Sequence, residues 1–188
     1  MCATAERAHP DHPGFAPGTI YHQFHEQRYQ WAALQCLSGY TLDAPCGCGW
    51  GTDMLPKPVI GMDVCPGAVE YGKQKFDANC IVGNMLETPF ADGVFMNVVC
   101  LEGIEHLRRI DAGKFLKEAR RITAKGGRLI VTIPLEKGHP VNNPHHLEAY
   151  DLLSARTLMD RDWAATKLTE VRQVNGIPIL WGVYDRKD

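Results

Sequence analysis

Three glycines at alternate positions close the segment Thr41-Leu42-Asp43-Ala44-Pro45-Cys46-Gly47-Cys48-Gly49-Trp50-Gly51-Thr52, which opens with a short apolar run. Glycine has no Cβ, so the backbone can turn sharply there and approach a ligand closely. If Val59–Asp63 is a second strand, residues 41–63 form one β-turn-α-β unit. Such a unit points a helix N-terminus and free N–H groups at whatever lies over the glycines. The segment therefore predicts a nucleotide or nucleotide-like site.

The spacing of the glycines narrows the kind of ligand. Dinucleotide-binding folds favour G-x-G-x-x-G, whereas this loop reads G-x-G-x-G. An Asp-x-x-Cys-Gly-x-Gly segment that ends a strand, with an acid ending the next strand, resembles motif I of the class I S-adenosylmethionine (SAM) methyltransferases. The chain departs from that motif at Pro45, where the family often has glycine. A glycine-rich turn without a ligand is the alternative, and Asp63 at the expected distance argues against it.

The rest of the chain alternates between strand and helix patterns. Strands are predicted at 42–45, 59–64, 80–83, 95–101, 128–133, 168–174 and 179–184, and helices at 19–37, 50–55, 66–76, 111–123 and 154–165. This alternation predicts an α/β fold: a doubly wound, mostly parallel seven-stranded sheet of Rossmann-like type with an antiparallel C-terminal hairpin. We expect a flexible segment at 1–18, a single domain at 19–188 and a lid loop at 134–150.

Length and composition limit the class of protein. A chain of 188 residues can form one α/β domain with a full core. A net charge of -2 and a pI near 6.4 provide no electrostatic footprint for nucleic acid. Because no apolar stretch approaches the length of a membrane span, and no signal-peptide core is visible, we predict a cytoplasmic protein. Five of the seven cysteines lie in or beside predicted strands and are expected to be reduced core residues: Cys46, Cys48, Cys65, Cys80 and Cys100. The Cys46-x-Cys48 pair lacks a second pair at zinc spacing, so a zinc site is not expected there.

Polar residues follow the predicted strands at their carboxyl ends. They are Asp43, Asp63, Asn84, Glu102 and the loop after Pro134. In open α/β sheets that edge is where ligands bind. The polar and semi-polar residues of the first helix, Tyr21, His25, Arg28 and Tyr29, could reach over the same edge. The pattern thus places the candidate site without reference to any family.

The resemblance to class I methyltransferases implies a cofactor and a set of residues that hold it. SAM would be the cofactor and S-adenosylhomocysteine the product. Asp63 would accept hydrogen bonds from both ribose hydroxyls, Asn84 would bond the adenine amine where Asp is more usual, and the Met85 N–H would meet an adenine ring nitrogen. The residues expected to bind the cofactor are Arg28, Asp43, Ala44, Gly47, Cys48, Gly49, Asp63, Val64, Asn84, Met85, Leu86 and Glu102.

The resemblance also extends to Glu102-x-x-Glu105-His106 and to Asn143-Pro144-His145. These segments are similar to those of the methyltransferase branch that modifies small molecules and glycan- or lipid-linked substrates. That branch includes the ubiquinone-type O-methyltransferases. SAM carries its own leaving group, so the protein mainly aligns the acceptor. An acceptor hydroxyl would still need a base, and His106, Glu105 and His145 are the candidates. His106 could instead hold its loop by a hydrogen bond.

Three other functions compete with this interpretation. Glu102, Glu105, His106 and His145 match the metal ligands of small-RNA 3′-end 2′-O-methyltransferases, although the acidic pI and the lack of a basic stripe disfavour RNA, and we predict no metal. A non-catalytic SAM-binding protein would have the same loop. A nicotinamide oxidoreductase is disfavoured by the glycine spacing. We therefore predict methyl transfer to a small-molecule or glycan/lipid-type acceptor, at oxygen, by a possible homodimer.

Overall fold

The computed structural model describes residues 17–138, 143–174 and 176–188. Its helices are α1 (Ile20–Gln35), α2 (Pro66–Phe76), α3 (Arg109–Ile122) and α4 (Leu152–Met159). Its strands are β1 (Thr41–Asp43), β2 (Val59–Asp63), β3 (Cys80–Val82), β4 (Phe95–Leu101), β5 (Thr123–Pro134), β6 (Trp163–Ala165), β7 (Glu170–Val174) and β8 (Ile177–Arg186). Almost all of the predicted flexible segment 1–18 lies outside the described residues, as do residues 139–142 of the predicted lid.

The strands form one mixed sheet. Its order is β3-β2-β1-β4-β5-β8-β6, and β7 also pairs with β8. The first five strands pair in parallel, whereas β8 runs antiparallel to β5 and to its other two partners. The predicted α/β fold with an antiparallel C-terminal part is confirmed. The predicted number of seven strands is wrong, because the described residues contain eight.

Helices cover both faces of this sheet. Adjacent residues of a strand point to opposite faces. Val98 accordingly packs in the core cluster that contains Phe115 of α3, and Val99 packs in the cluster that contains Trp31 of α1. Both valines are fully buried. Burial on both faces explains why β4 reads as an almost continuous apolar run.

Three predicted elements differ from the observed ones. The predicted helix 154–165 ends at Met159, and Trp163 then enters strand β6, where its indole N–H donates to the Leu116 carbonyl at 3.3 Å. A short apolar segment does not by itself distinguish strand from helix. The predicted helix 50–55 is a single 3-10 turn, Thr52–Met54.

The third difference concerns strand β5, which was predicted at 128–133 and begins directly after α3, so that it includes Gly126 and Gly127. The helix already ends at Ile122, and both glycines lie inside β5. A Cβ on Gly127 would come within 2.8 Å of the Met96 carbonyl oxygen. This glycine therefore permits close approach of β5 to β4, because any larger residue would clash with the neighbouring backbone.

The cysteine prediction holds in part. Cys46, Cys48, Cys80 and Cys100 are buried and free, as expected for small core residues. Burial raises the pKa of the Cys46 and Cys100 thiols well above its usual range, so both stay protonated. Cys65 is disulfide-bonded, contrary to the expectation that it is reduced. Among the described residues, no helix is both long and apolar enough to cross a membrane.

Candidate functional site

The carboxyl ends of three neighbouring strands meet at one edge of the sheet. Asp43 ends β1, Asp63 ends β2, and Glu102 follows β4. Because β1 lies between β2 and β4 and pairs with both in parallel, the three carboxylates arrive at the same edge. Asn84 follows β3 at that edge too. The structure therefore brings together the polar residues that the strand pattern predicted to lie close.

Asp43 anchors the glycine loop to the rest of the domain. Its Oδ2 accepts hydrogen bonds from the Thr52 hydroxyl at 2.7 Å and from the Tyr29 hydroxyl at 3.1 Å. The side chain is fully buried, and its Oδ1 has no hydrogen bond within the described part of the chain. Burial raises the pKa of Asp43 to about 7. Asp43 thus joins β1, the end of the loop and α1.

The three glycines of the loop serve different purposes. Gly47 and Gly49 have φ angles of +57° and +71°, a backbone conformation that favours glycine. A Cβ added to Gly47 would meet nothing within 4 Å, so this residue faces open space, whereas one on Gly49 would come within 3.0 Å of Ala78. A Cβ on Gly51 would lie 2.2 Å from the Tyr29 ring. Gly47 is therefore the glycine that faces a possible ligand, and Gly51 is needed for packing.

The carboxylate of Asp63 is held in place by two backbone groups. Its Oδ2 accepts from the Gly47 N–H at 2.9 Å and its Oδ1 from the Cys65 N–H at 2.8 Å. A carboxylate has about four acceptor sites, so each oxygen can accept a further hydrogen bond. The next residue, Val64, is 65% exposed. An oriented carboxylate beside an open glycine and an exposed apolar side chain fits the ribose and adenine of SAM.

Asn84 forms a turn of its own. Its Oδ1 accepts from the Leu86 N–H at 2.9 Å, and its backbone bridges to Glu87. An adenine amine would therefore have to share this oxygen with Leu86. Met85 and Leu86 are half-buried and pack against the main core cluster. Their backbone is thus fixed relative to β3, as a contact with the adenine ring would need.

Arg28 and Glu102 form an ion pair between α1 and the end of β4. The Arg28 Nη2 lies 3.2 Å from the Glu102 Oε2. Glu102 has a φ of +50°, although it is not glycine, and its N–H donates to the Thr132 carbonyl and hydroxyl, each at 3.1 Å. Non-glycine residues in this region cost about 1–2 kcal/mol and are concentrated at functional sites. This strain supports the prediction that Glu102 belongs to a site.

Glu105, His106 and His146 make a second cluster beside this pair. Glu105 is 1% exposed, and neither carboxylate oxygen has a hydrogen bond within the described residues. Burial, and then the charge of Glu102, raise the pKa of Glu105 well above its usual range. The rings of His106 and His146 meet edge to face, with centroids 4.9 Å apart. One ligand atom from each of the three side chains lies within 4.8 Å of the others.

The structure distinguishes between the two adjacent histidines of the predicted lid. His145 is exposed, and its carbonyl oxygen lies 3.0 Å from the His106 Nδ1. His146 instead turns inward, with its Nδ1 2.7 Å from the Glu136 Oε2. The Asn143 Nδ2 lies 3.0 Å from the other ring nitrogen, Nε2. The structure thus places His146, and not the predicted His145, in the cluster with Glu105.

Neither His146 nor Glu136 was predicted from the sequence as a site residue. One signal was available for Glu136, because this acid stands two residues after β5, at the edge where the other polar residues lie. No signal separated His145 from His146, since both stand in one irregular loop. A difference of one residue decides which ring faces the protein, and only the path of the backbone determines it.

Comparison with known proteins agrees with this architecture. Residues 42–131 match the model of a family described as a methyltransferase domain. This central part of the chain is therefore similar to a methyltransferase domain. The matched region begins in β1 and ends in β5, so it includes the glycine loop, Asp63, Asn84 and the Glu102–His106 segment.

Two curated relatives and one solved structure illustrate this similarity. The chain is 32% identical over 126 residues to a probable S-adenosylmethionine-dependent methyltransferase of Mycolicibacterium smegmatis, across 65% of this chain and 48% of that protein. It is 34% identical over 93 residues to the demethylmenaquinone methyltransferase of Corynebacterium glutamicum, across 48% of this chain and 39% of that protein. The chain thus spans half or less of the length of these relatives.

The solved structure is that of the N-methyltransferase NodS from Bradyrhizobium japonicum in complex with S-adenosylhomocysteine. It superimposes on this chain with a TM-score of 0.71, and the match covers 96% of this chain and 94% of that chain. The two sequences are only 15% identical. The likeness therefore concerns the fold.

Proposed function

We propose that this chain binds SAM at the carboxyl ends of β1 to β3 and transfers its methyl group to a small-molecule or glycan/lipid-type acceptor, at oxygen. The observation that carries the proposal is the Asp63 carboxylate, which the Gly47 and Cys65 N–H groups hold at 2.9 and 2.8 Å beside the open face of the loop. SAM, when bound, supplies a methyl group activated by a sulfonium leaving group.

The protein's own groups bind and orient this cofactor. Asp63 accepts hydrogen bonds from the two ribose hydroxyls. Because Gly47 has no side chain, the backbone at this residue can approach the methionine part of SAM closely. Val64 covers one face of the adenine, and the turn of Asn84, Met85 and Leu86 meets its edge. The buried Asp43 carboxylate accepts a hydrogen bond from Thr52 and so holds the glycine loop against the core of the domain.

The acceptor is assigned to the side of the sheet edge where Arg28, Glu102 and the Glu105–His106–His146 cluster lie. This cluster offers carboxylate and imidazole groups that can take or stabilise the proton of an acceptor hydroxyl. The demethylmenaquinone methyltransferase relative supports a small acceptor. The net charge of -2 argues against an RNA acceptor, and Glu102, one of the ligands expected for an RNA-end enzyme, is paired with Arg28.

Calorimetric titration with S-adenosylhomocysteine tests the proposal. We expect saturable binding to the wild type, and Asp63→Asn should weaken it by about tenfold or more, because charge-assisted hydrogen bonds are roughly twice as strong as neutral ones. Asp53→Asn makes the same chemical change at an exposed position near the loop and should leave the affinity unchanged. Absence of binding to the wild type would overturn the proposal, and unaltered affinity in Asp63→Asn would overturn the role of Asp63.

A test of transfer separates an enzyme from a non-catalytic SAM-binding protein. Radiolabelled SAM is incubated with pools of phenols, polyols and glycolipids, and label that passes to an acceptor and resists base treatment indicates an ether rather than an ester. Label on nitrogen or carbon would contradict the oxygen assignment. SAM binding without transfer to any pool would favour the non-catalytic alternative.

A further inference from the structure

The Glu105–His106–His146 cluster has the geometry of a metal site. One ligand atom from each residue lies within 4.8 Å of the other two. Nitrogen and oxygen donors at about 2.0–2.1 Å from an ion can be no more than about 4.2 Å apart. In a tetrahedral site such donors are about 3.4 Å apart, so the longest separation would need to shorten by up to about 1.4 Å when an ion binds.

Glu105 is the second, independent observation. Its side chain is 1% exposed, and both of its oxygens are buried without a hydrogen bond in the described residues. A buried carboxylate is normally paired with a donor or coordinated to a cation, because loss of hydration is otherwise uncompensated. A cation held together with the two histidines would supply the missing partner.

Glu136 gives His146 the orientation of a metal ligand. The Nδ1 of His146 lies 2.7 Å from the Glu136 Oε2, and the two side chains are 10% and 8% exposed. A carboxylate that receives one ring N–H fixes the tautomer and makes the other nitrogen more basic, as is common for histidines that bind metals. The Asn143 Nδ2 lies 3.0 Å from Nε2 and donates to its lone pair, so this amide must move aside when an ion binds there.

The backbone fixes the two parts of the cluster relative to each other. The Glu105 carbonyl accepts from the Leu147 N–H at 2.9 Å and from the Glu148 N–H at 3.2 Å. These bonds tie the loop that carries His146 to the 3-10 turn that carries Glu105 and His106. The donors thus come from two segments that are already joined, which reduces the rearrangement needed to bind an ion.

We propose that Glu105, His106 and His146 bind a divalent transition-metal ion, with Glu136 as the positioning residue for His146. Two imidazoles and one carboxylate favour Zn²⁺, Mn²⁺ or Co²⁺ over Mg²⁺ and Ca²⁺, which prefer oxygen. Three protein ligands leave a coordination position open. The acceptor hydroxyl oxygen takes that position, which lowers its pKa, and its proton passes to solvent water. The oxygen then bonds to the methyl carbon of SAM while the carbon–sulfur bond breaks and S-adenosylhomocysteine leaves. This last step rests on the proposed function, whereas metal binding does not.

The ligand set differs from the one that the sequence suggested for an RNA-end enzyme. His146 replaces His145, and Glu102 is not a ligand because it pairs with Arg28. The prediction that the chain uses no metal is therefore replaced by this proposal.

Titration of the chelator-treated full chain with Co²⁺, followed by its visible absorption, tests the site. We expect one equivalent to bind with the spectrum of a site of low coordination number, and Zn²⁺ to displace it. Glu105→Gln and His146→Ala should abolish the absorption band. Glu136→Gln should weaken binding by about 10–100-fold, the usual effect of removing a carboxylate behind a metal-bound histidine. His145→Ala is the matched control and should bind Co²⁺ like the wild type.

Two results would overturn the metal site: no absorption band in the wild type, or the same band in Glu105→Gln and in His146→Ala. Equal loss in His145→Ala would overturn the assignment to His146. Thermal melts of each variant show that it is folded, and Glu136→Gln provides a milder change if His146→Ala is not. S-adenosylhomocysteine affinity is measured on the same samples, so that cofactor binding without metal defeats this inference alone, and metal binding without cofactor defeats the proposed function alone.

Discussion

The Asp43 carboxylate accepts a hydrogen bond of 2.7 Å from the Thr52 hydroxyl, which closes the glycine loop at its two ends. Both residues are almost completely buried. The loop that would carry the cofactor is thus tied at its base by side chains that no solvent reaches. The core of the domain therefore fixes both ends of the loop.

Thr52→Val removes this hydrogen bond and keeps the shape of the side chain. We expect a loss of about 1–3 kcal/mol in the free energy of unfolding, because the buried Asp43 carboxylate loses one of its two donors and keeps only the Tyr29 hydroxyl. Urea unfolding measures the change. Thr157→Val is the control, since Thr157 is exposed and its hydroxyl donates to the Leu153 carbonyl of the same helix, and it should change stability by less than about 0.5 kcal/mol. Equal effects of the two variants would show that the loop is not anchored in this way.

The pH dependence of stability should report Asp43. Burial raises the pKa of its carboxyl from 3.8 to about 7. The unfolded chain therefore loses this proton at lower pH than the native state. Because the native state binds more protons across this window, the free energy of unfolding should fall as pH rises from about 4 to about 7.

Asp43→Asn cannot titrate at this position, so its stability should fall less over the same pH range. Urea unfolding at a series of pH values gives the two slopes. Asp53→Asn, at an exposed carboxylate, should retain the slope of the wild type. An Asp43→Asn slope equal to that of the wild type would mean that Asp43 is ionised throughout.

Gly51→Ala and Gly47→Ala should separate stability from binding. The added Cβ of Gly51→Ala would lie 2.2 Å from the Tyr29 ring, so overpacking should cost about 1–3 kcal/mol of stability. The Cβ of Gly47→Ala meets no protein atom within 4 Å and enters the open face of the loop. We expect the Gly47 variant to lose S-adenosylhomocysteine affinity to a larger degree, and its stability to fall by only about 1 kcal/mol from the strained φ.

Calorimetry and thermal melts of both glycine variants provide the comparison. We expect Gly51→Ala to lose mainly stability and Gly47→Ala to lose mainly affinity for S-adenosylhomocysteine. If Gly47→Ala bound the cofactor like the wild type, the ligand would not lie over this glycine.

Arg28→Met should destabilise the domain by leaving Glu102 without its cation. The two side chains are 10% and 19% exposed, so the carboxylate is poorly hydrated. We expect a loss of about 1–3 kcal/mol in the free energy of unfolding. The double variant Arg28→Met/Glu102→Gln should recover part of this loss, because no unpaired charge remains. Strict additivity in this double-mutant cycle would show that the pair does not interact.

The elements predicted best are those with local causes. The apolar run of β4 and the inner stripe of α3, with Phe115 and Leu116 buried, follow from periodicity that any window of the sequence displays. Strand β6 was missed because it has only three residues and pairs with β8, where Trp163 lies opposite Arg186. Arg186 stands much later in the sequence. Long-range pairing of this kind has no local signature.

The amino-acid sequence by itself determined the α/β fold, the glycine loop and the edge at which Asp43, Asp63 and Glu102 meet, because these follow from spacing and from the geometry of parallel strands. The tertiary structure decided which glycine faces open space, which carboxylate is left buried without a partner, and which histidine joins it. These outcomes depend on contacts between distant segments, such as the Tyr29 ring over Gly51 and the Glu136 carboxylate beside His146. Packing and burial determine these outcomes, and neither can be read from the order of residues in the sequence.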